Sequence, residues 1–338
     1  MRFRRNTFIN VGLLLSACWL AAGCSAIDDD LSDCPPDEKQ FLMEYQLRLV
    51  TNMTTELETQ LTTLTEIGVA DALREHLKDI FSDRAHDIDL SFYDTEGALN
   101  SLYHKSDIID ANQTSYTLTL PMRKYMHLAV ANIADNNMVA LEDEQHSNTS
   151  VLLQSEGKTL NSHNTGLFTA RQPMEVLEGV DQTFNVRLYM ANSAVALVLD
   201  PKGHTFTDMK VYATGFARQF NISDSVYVFP DESPMIRADK VETGNELLCF
   251  CSVNFPSHDA ETKAAEEKTL WQIKAYITKT DGKVTESVLD IKEALKAGNL
   301  KILKGELDDD GAIRPYDSRI GVSVMLDWNE GGSYDPDL

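Results

Sequence analysis

Positive charge is scarce in this sequence. Its 338 residues include 53 Asp and Glu but only 30 Lys and Arg, which gives a formal net charge of −23. Such an acidic chain is repelled by phosphate backbones, so nucleic acid is not an expected partner. Proline and glycine are also scarce, with 10 and 17 residues, which excludes collagen-like and low-complexity chains. The hydrophobic fraction of 43% is typical of a globular protein, and the length predicts two domains.

Catalytic motifs are missing as well. The sequence contains no HExxH, GxSxG, Walker A or GxGxxG pattern, and its eight His residues are scattered. The acidic run 308–310 lacks the alternating ligands of an EF-hand loop and is more typical of a hairpin turn. His127 lies in an apolar strand, where a hydrogen-bonded core histidine is commoner than a metal ligand. We therefore expect neither an enzyme nor a bound metal or cofactor.

The N-terminus has the features of an export signal. Arginines at positions 2, 4 and 5 precede an apolar stretch over 11–20, which is too short for a transmembrane helix. This pattern predicts a signal peptide over residues 1–23. The stretch 20–24, Leu-Ala-Ala-Gly-Cys, resembles a bacterial lipobox, which implies that Cys24 is acylated and becomes the mature N-terminus. The alternative is an ordinary signal peptide followed by an incidental cysteine.

Three cysteines then remain, which is an odd number. Cys249 and Cys251 are two residues apart in an apolar run, so on a strand they share one face. In an oxidising compartment Cys34 could form a disulfide with Cys249 or with Cys251. The alternative is three buried free thiols. A zinc site is not expected, because no His spacing supports it.

The chain after the signal peptide divides into a tether and two strand-rich blocks. Residues 24–40 are polar and acidic and are predicted to form the tether. The blocks 41–181 and 182–338 are the predicted domains, each with short strands at regular spacing. This pattern predicts a mainly β fold of two antiparallel β-sandwiches. Their edge strands matter, because an open edge can pair with another chain.

The first predicted domain contains a helical insertion over 55–81, where apolar residues recur at helical spacing. Thr55 and Glu58 fit a capping box at its start, and Gly68 is expected to divide it into two helices. A shorter helix is predicted further along the chain, between Asp290 as N-cap and Gly298 just past its end.

The C-terminal strand has the clearest alternation. Five apolar residues share one face: Ile320, Val322, Val324, Leu326 and Trp328. Since a buried face fixes strand register, we expect 320–328 to be an integral strand of the second domain with this face covered. The tail 329–338 is polar and lacks apolar alternation, so it is not expected to act as a donor strand.

Three stretches of the sequence form a recognisable combination: CSAIDDDLSDCP at 24–35, LTLP and YMHLAVAN within 118–132, and IGVSVMLDW followed by EGG at 320–332. Together they resemble the fimbrillin-anchor subunits of Bacteroidetes, the lipoproteins at the base of type V pili. The resemblance implies transthyretin-like β-sandwich domains and a surface-exposed outer-membrane lipoprotein anchored through Cys24. It also implies a fimbrial stalk subunit as the partner, joined by strand exchange, and a role in attaching the fimbrium and limiting its length.

One point in the sequence agrees with an anchor. Type V pilus subunits are activated when trypsin-like proteases remove an N-terminal strand, whereas an anchor should keep the strand that links it to its lipid. Between Cys24 and Leu47 there is no Arg and one Lys, Lys39, although a stretch this short could lack Arg by chance.

The alternative function is a surface glycan-binding β-sandwich lipoprotein. Sugar platforms need exposed aromatic rings, and in the mature chain the only tryptophans are Trp271 and Trp328. Both lie on the apolar side of alternating strands, which favours packing over sugar binding.

Overall fold

The computed structural model describes residues 40–49, 53–95, 102–107, 115–134, 136, 138–141, 148–151, 159–259 and 268–328. The signal peptide, the tether and the tail 329–338 lie outside these ranges. In the described part of the chain, no helix is both long and apolar enough to cross a bilayer.

The first sheet has seven strands, numbered here, like all others, in chain order. They are β1 (Gln40–Leu49), β2 (Ile88–Asp94), β3 (Leu102–Asp107), β4 (Ser115–Pro121), β5 (Lys124–Ala131), β9 (Phe168–Glu175) and β10 (Gln182–Met190). The spatial order is β3-β2-β5-β9-β10-β1-β4. β1 runs parallel to β10, with Met43 opposite Gln182. The predicted first strand is confirmed, and residue 181 separates β9 from β10 within this one sheet.

Two helices follow β1, α1 (Met53–Leu61) and α2 (Ile67–Leu77), and both bury a leucine-rich face. The predicted capping box is wrong, because Thr55 lies inside α1 and its carbonyl accepts the Thr59 hydroxyl. The start of α1 is instead held from outside the helix, where the Met53 amide donates to Asp83 Oδ1 at 2.9 Å.

Gly68 does not divide the helices, because it is the second residue of α2 and the break lies over 62–66. A Cβ atom at position 68 would lie 2.9 Å from the Thr243 carbonyl oxygen. Glycine is therefore required here for the close approach of two backbones rather than for a turn.

The second sheet has five strands: β11 (Ser193–Asp200), β16 (Asp239–Val241), β17 (Leu248–Asn254), β20 (Leu300–Leu307) and β21 (Ile313–Pro315). Their order is β16-β17-β11-β20-β21. β11 is antiparallel to β17 and parallel to β20.

The remaining strands form two further sheets. A six-stranded sheet contains β8 (Thr159–Asn161), β12 (Phe206–Thr214), β15 (Met235–Arg237), β18 (Trp271–Lys279), β19 (Val284–Ile291) and β22 (Gly321–Trp328). A four-stranded sheet contains β6 (Val139–Leu141), β7 (Asn148–Val151), β13 (Gln219–Asn221) and β14 (Val226–Val228). Their orders are β22-β19-β18-β12-β15-β8 and β14-β13-β7-β6. The fold is mainly β, as predicted.

The five-stranded sheet separates two hydrophobic cores. Along β11, Ala194, Ala196 and Val198 face a first core that also contains α1, α2 and the inner face of the seven-stranded sheet. Val195, Leu197 and Leu199 face a second core shared with the six-stranded sheet. A strand covered on both faces has a continuous apolar sequence, and the run SAVALVL has this property. The helices therefore pack against strands from the second half of the sequence as well as the first.

The predicted helix between Asp290 and Gly298 is absent from this described segment. Asp290 belongs to β19, and its carboxylate accepts a hydrogen bond from Gln272 at 2.7 Å. Gly298 has a φ of +77°, and its amide donates to the Asn192 carbonyl at 2.7 Å. The segment is a turn fixed by tertiary hydrogen bonds, which local cap signals do not reveal.

Candidate functional site: the C-terminal edge strand

β22 is the last strand of the six-stranded sheet and pairs with β19 alone among the described strands. Gly321 lies opposite Asp290 and Val324 opposite Ser287, and the register shifts near the far end, where Trp328 lies opposite Val284. One backbone edge of this eight-residue strand thus lies at the sheet boundary.

The apolar side chains of β22 are exposed, so the prediction of a covered face is wrong. The exposed fraction is 42% for Val322 and Val324, 49% for Leu326 and 52% for Met325. None of these residues belongs to either core, although Ile320 just before the strand packs against the second core. The neighbouring strand β19 is covered by the five-stranded sheet, because the Ile313 amide of β21 donates to the Ser287 hydroxyl at 3.1 Å.

Six of the other seven described sheet edges are better protected, and the seventh is the six-residue β3. β8, β16, β21, β14 and β6 have three residues each, and the seven-residue β4 presents Ser115, Thr117 and Thr119 to solvent. A long edge strand with an apolar face is a template for pairing with another chain, and soluble proteins normally avoid it. β22 therefore has the properties of a strand that meets a partner.

A small cavity of about 310 Å³ lies beside the start of β22. Ile291, Leu303 and Ile320 form part of its apolar lining. Arg319 donates to Asp317 at 2.7 Å, and this hydrogen bond lowers the pKa of the Asp317 carboxyl to about 2. The ion pair joins two residues of the turn that leads into β22.

The N-terminal strand β1 is held differently, by a buried polar contact. The Tyr45 side chain is fully buried, and its hydroxyl donates to His127 Nε2 at 2.7 Å. His127 Nδ1 donates in turn to the Ser91 carbonyl at 3.0 Å, and its ring stacks on Phe92. Burial lowers the pKa of His127 to about 4, so the ring is neutral and its Nε2 can accept the hydrogen bond from the Tyr45 hydroxyl. His127 is a satisfied core histidine, as predicted, whereas the sequence did not indicate Tyr45 as its partner.

The predicted cysteine sites are only partly described. Cys24 and Cys34 lie outside the described residues, so acylation and the disulfide remain predictions. Cys249 and Cys251 are both buried on the face of β17 that meets the first core, which confirms that they share a face. Burial raises the pKa of Cys249 to about 12 and that of Cys251 well above its usual value, so both thiols are unreactive as they stand.

The described residues contain no group of three or more His, Cys, Asp or Glu that could hold a metal ion. The acidic run at 308–310 forms a hairpin turn, because Asp308 Oδ1 accepts the backbone amides of Asp310 and Ala312 at 3.0 and 2.9 Å.

Trp271 is not available to a sugar. Its ring is buried in the second core, and its Nε1 donates to the Glu293 carbonyl at 2.8 Å. The side chain of Trp328 lies outside the described part. Of the two tryptophans considered for glycan binding, Trp271 therefore cannot stack on a sugar.

Several solved structures have a similar fold. A candidate adhesin from Bacteroides ovatus has a TM-score of 0.52 and 13% identity, covering 84% of this chain and 94% of that chain. A candidate polysaccharide-binding protein (DUF1812) from Bacteroides thetaiotaomicron has a TM-score of 0.51 and 9% identity, covering 86% and 99%. The fimbrial anchor protein Mfa2 from Porphyromonas gingivalis has a TM-score of 0.45 and 11% identity, covering 86% and 99%. No curated protein sequence matches the chain.

The family described as fimbrillin-A associated anchor proteins Mfa1 and Mfa2 matches residues 56–228. This segment contains most of α1, all of α2, most of the seven-stranded sheet and the central strand β11. Because the match covers more than half of the 338 residues, the chain belongs to the family of fimbrillin-A associated anchor proteins.

Proposed function

We propose that this protein is an outer-membrane lipoprotein that anchors a type V pilus at the cell surface. In this proposal acylated Cys24 holds the protein in the membrane, and a fimbrial stalk subunit is joined by strand exchange. The contact attaches the fimbrium at its base and limits its length. The role is structural, with no catalytic step and no cofactor.

The exposure of β22 is the observation that carries the proposal. Val322, Val324 and Leu326 occur at every second position, as needed to fill a groove in a partner. They contribute to neither core, so releasing β22 from β19 breaks ladder hydrogen bonds but uncovers little apolar surface. We therefore assign partner contact to 321–328, and 320–328 is not the covered strand that the alternation predicted.

β1 has the opposite property, which suits an anchor. It lies between β10 and β4, and the buried Tyr45–His127 hydrogen bond ties it to β5. Removing β1 would leave His127 Nε2 inside the core without the hydroxyl that donates to it, a loss of about 1–3 kcal/mol before packing is counted. A strand held this firmly can transmit tension from the body of the protein to the lipid.

The experiment uses Val324→Asp with Ser323→Asp as its matched control. Both residues are exposed on β22 and both changes add one negative charge, but only Val324 belongs to the apolar face. We expect Val324→Asp to lower stalk-subunit co-purification from native outer membranes at least tenfold, since a carboxylate would enter an apolar groove. Ser323→Asp should have little effect, and both variants should unfold at the wild-type temperature. Equal capture by Val324→Asp and wild type would contradict the assignment.

Fimbriae on cells give a second measurement. If the anchor limits length, cells with Val324→Asp should carry fewer attached fimbriae and release longer ones into the medium, as measured by electron microscopy. Unchanged number and length would exclude the length-limiting role.

A further inference from the structure

A second exposed apolar cluster lies at one end of the seven-stranded sheet. It consists of Leu42, Met122, Leu177 and Val180, whose exposed fractions are 68%, 50%, 43% and 52%. Leu42 is at the start of β1, Met122 is in the β4–β5 turn, and Leu177 and Val180 are in the β9–β10 turn. We call these four residues the apolar end patch.

Backbone contacts bring these three segments together. The Val176 amide donates to the Arg123 carbonyl at 2.9 Å, which joins the β9–β10 turn to the β4–β5 turn. Met43 lies opposite Gln182, which places the start of β1 beside the end of the β9–β10 turn. The Leu177 amide also donates to Gln182 Oε1 at 2.8 Å. The patch is therefore one feature of the surface, and such apolar clusters mark interaction sites.

The position of the apolar end patch along the chain indicates what it contacts. The chain enters the fold at β1, next to Leu42, and the fifteen residues 25–39 lie between Cys24 and the start of this strand. Even fully extended, that segment spans no more than about 55 Å. A lipid on Cys24 thus keeps the patch close to the bilayer, at a high effective concentration.

We propose that the apolar end patch inserts its side chains into the lipid bilayer and orients the protein on the membrane. This inference takes one element from the proposed function, namely that acylated Cys24 attaches the protein to the membrane. Partial burial of several apolar side chains gives weak binding, which becomes effective once the chain is tethered.

The charges around the patch define the kind of membrane. Glu175, Glu178 and Asp181 are exposed beside it, against one exposed cation, Lys124, which lies opposite Glu175. Arg123 forms an ion pair with Asp94. The end is therefore not a basic surface that attracts anionic lipid. Insertion should be driven by apolar burial, should favour zwitterionic lipids such as phosphatidylethanolamine, and should weaken as anionic lipid is added. The same carboxylates, on a chain of net charge −23, oppose association of two copies through the patch.

The test uses mature protein in which a hexahistidine segment replaces Cys24 and tethers the chain to vesicles with nickel-chelating lipid. Leu177→Trp places a fluorescent reporter in the patch. Val228→Trp is the matched control, because Val228 is exposed to 42% in the four-stranded sheet. Brominated phosphatidylcholine in the vesicles quenches tryptophan that enters the acyl region.

We expect brominated lipid to reduce the added fluorescence of Leu177→Trp at least twofold and to leave that of Val228→Trp unchanged. A triple variant with Met122, Leu177 and Val180 changed to Ser should lose roughly tenfold in untethered vesicle partitioning, as expected for the lost apolar area. Equal quenching of both reporters, or none at position 177, would overturn the proposal. A wild-type dimer that Leu177→Ser dissociates would also overturn it, since the patch would then be a protein interface. The chemical tether makes these outcomes independent of whether Cys24 is acylated.

Discussion

Lowering the pH from 7.5 to 5 should destabilise this protein through two buried histidines. Burial lowers the pKa of both His127 and His163 to about 4, from the ordinary value of 6.5. His163 is held neutral in a hydrogen bond with Asn192 at 2.8 Å, and His127 accepts the Tyr45 hydroxyl. Neither ring can gain a proton at pH 5 without being expelled from its core or losing its acceptor role.

The direction of the effect follows from proton linkage. Between pH 6.5 and 4 the unfolded chain binds protons at these histidines and the folded chain does not, so stability falls as pH falls through this window. Lowering the pKa from 6.5 to about 4 corresponds to about 3 kcal/mol of lost stability for each histidine once the pH is below 4. At pH 5 the loss is about 2 kcal/mol each, or about 4 kcal/mol together. That is a large part of the 5–15 kcal/mol typical of a folded domain.

Urea denaturation followed by circular dichroism at pH 7.5 and pH 5.0 measures this loss. Carboxylates also contribute as pH falls, so the informative quantity is the difference between wild type and His127→Gln. The variant should be less stable at pH 7.5, yet its pH-dependent loss should be smaller by about 2 kcal/mol. His258→Gln is the control for the loss of a histidine that is exposed rather than buried. Identical pH dependence in wild type and His127→Gln would refute the reasoning.

Three further predictions follow from the sequence and the packing. Cys24→Ala should release the protein from the membrane fraction or leave the signal peptide attached, and unchanged fractionation with a normal mature mass would contradict acylation. Gly68→Ala should destabilise the protein by roughly 1–2 kcal/mol in urea denaturation, because the Cβ of Ala would meet the Thr243 carbonyl. This loss should outweigh the better helix propensity of Ala. A stabilised variant would show that the helix can shift. Deleting 321–338 should leave cooperative unfolding intact at the cost of ladder hydrogen bonds worth about 1 kcal/mol each, whereas a non-cooperative product would show that β22 is part of the core.

Much of the fold could be predicted from periodicity, because periodicity reports which residues are apolar and how often they recur. The first strand, the helical segment and the core role of His127 all follow from it. It cannot report what lies opposite a residue. Gly68 is explained only by Thr243, far along the chain, and the start of α1 depends on Asp83 rather than on its own Thr55.

The same limit explains the short helix that did not form. Asp290 and Gly298 have the residue types of helix caps, but each has a tertiary partner that fixes another conformation. The Tyr45–His127 contact joins strands β1 and β5, which two other strands separate in the sheet. Such a pair requires the curvature of the whole sheet and has no signal in the local sequence.

The C-terminal strand shows where sequence reasoning must stop and why. A strand that completes its own core needs apolar residues at every second position, and so does a strand that fills a groove in a neighbour. The alternation from Ile320 to Trp328 satisfies both requirements equally, so it determines the face but not the protein that covers it. Whether that face is covered depends on the five-stranded sheet on the opposite side of the second core. Among the described strands, this sheet ends at the three-residue β21. In the isolated chain this face is exposed at Val322, Val324 and Leu326. This exposure indicates a binding function, because natural proteins seldom leave an apolar face on an open edge strand unless a partner covers it.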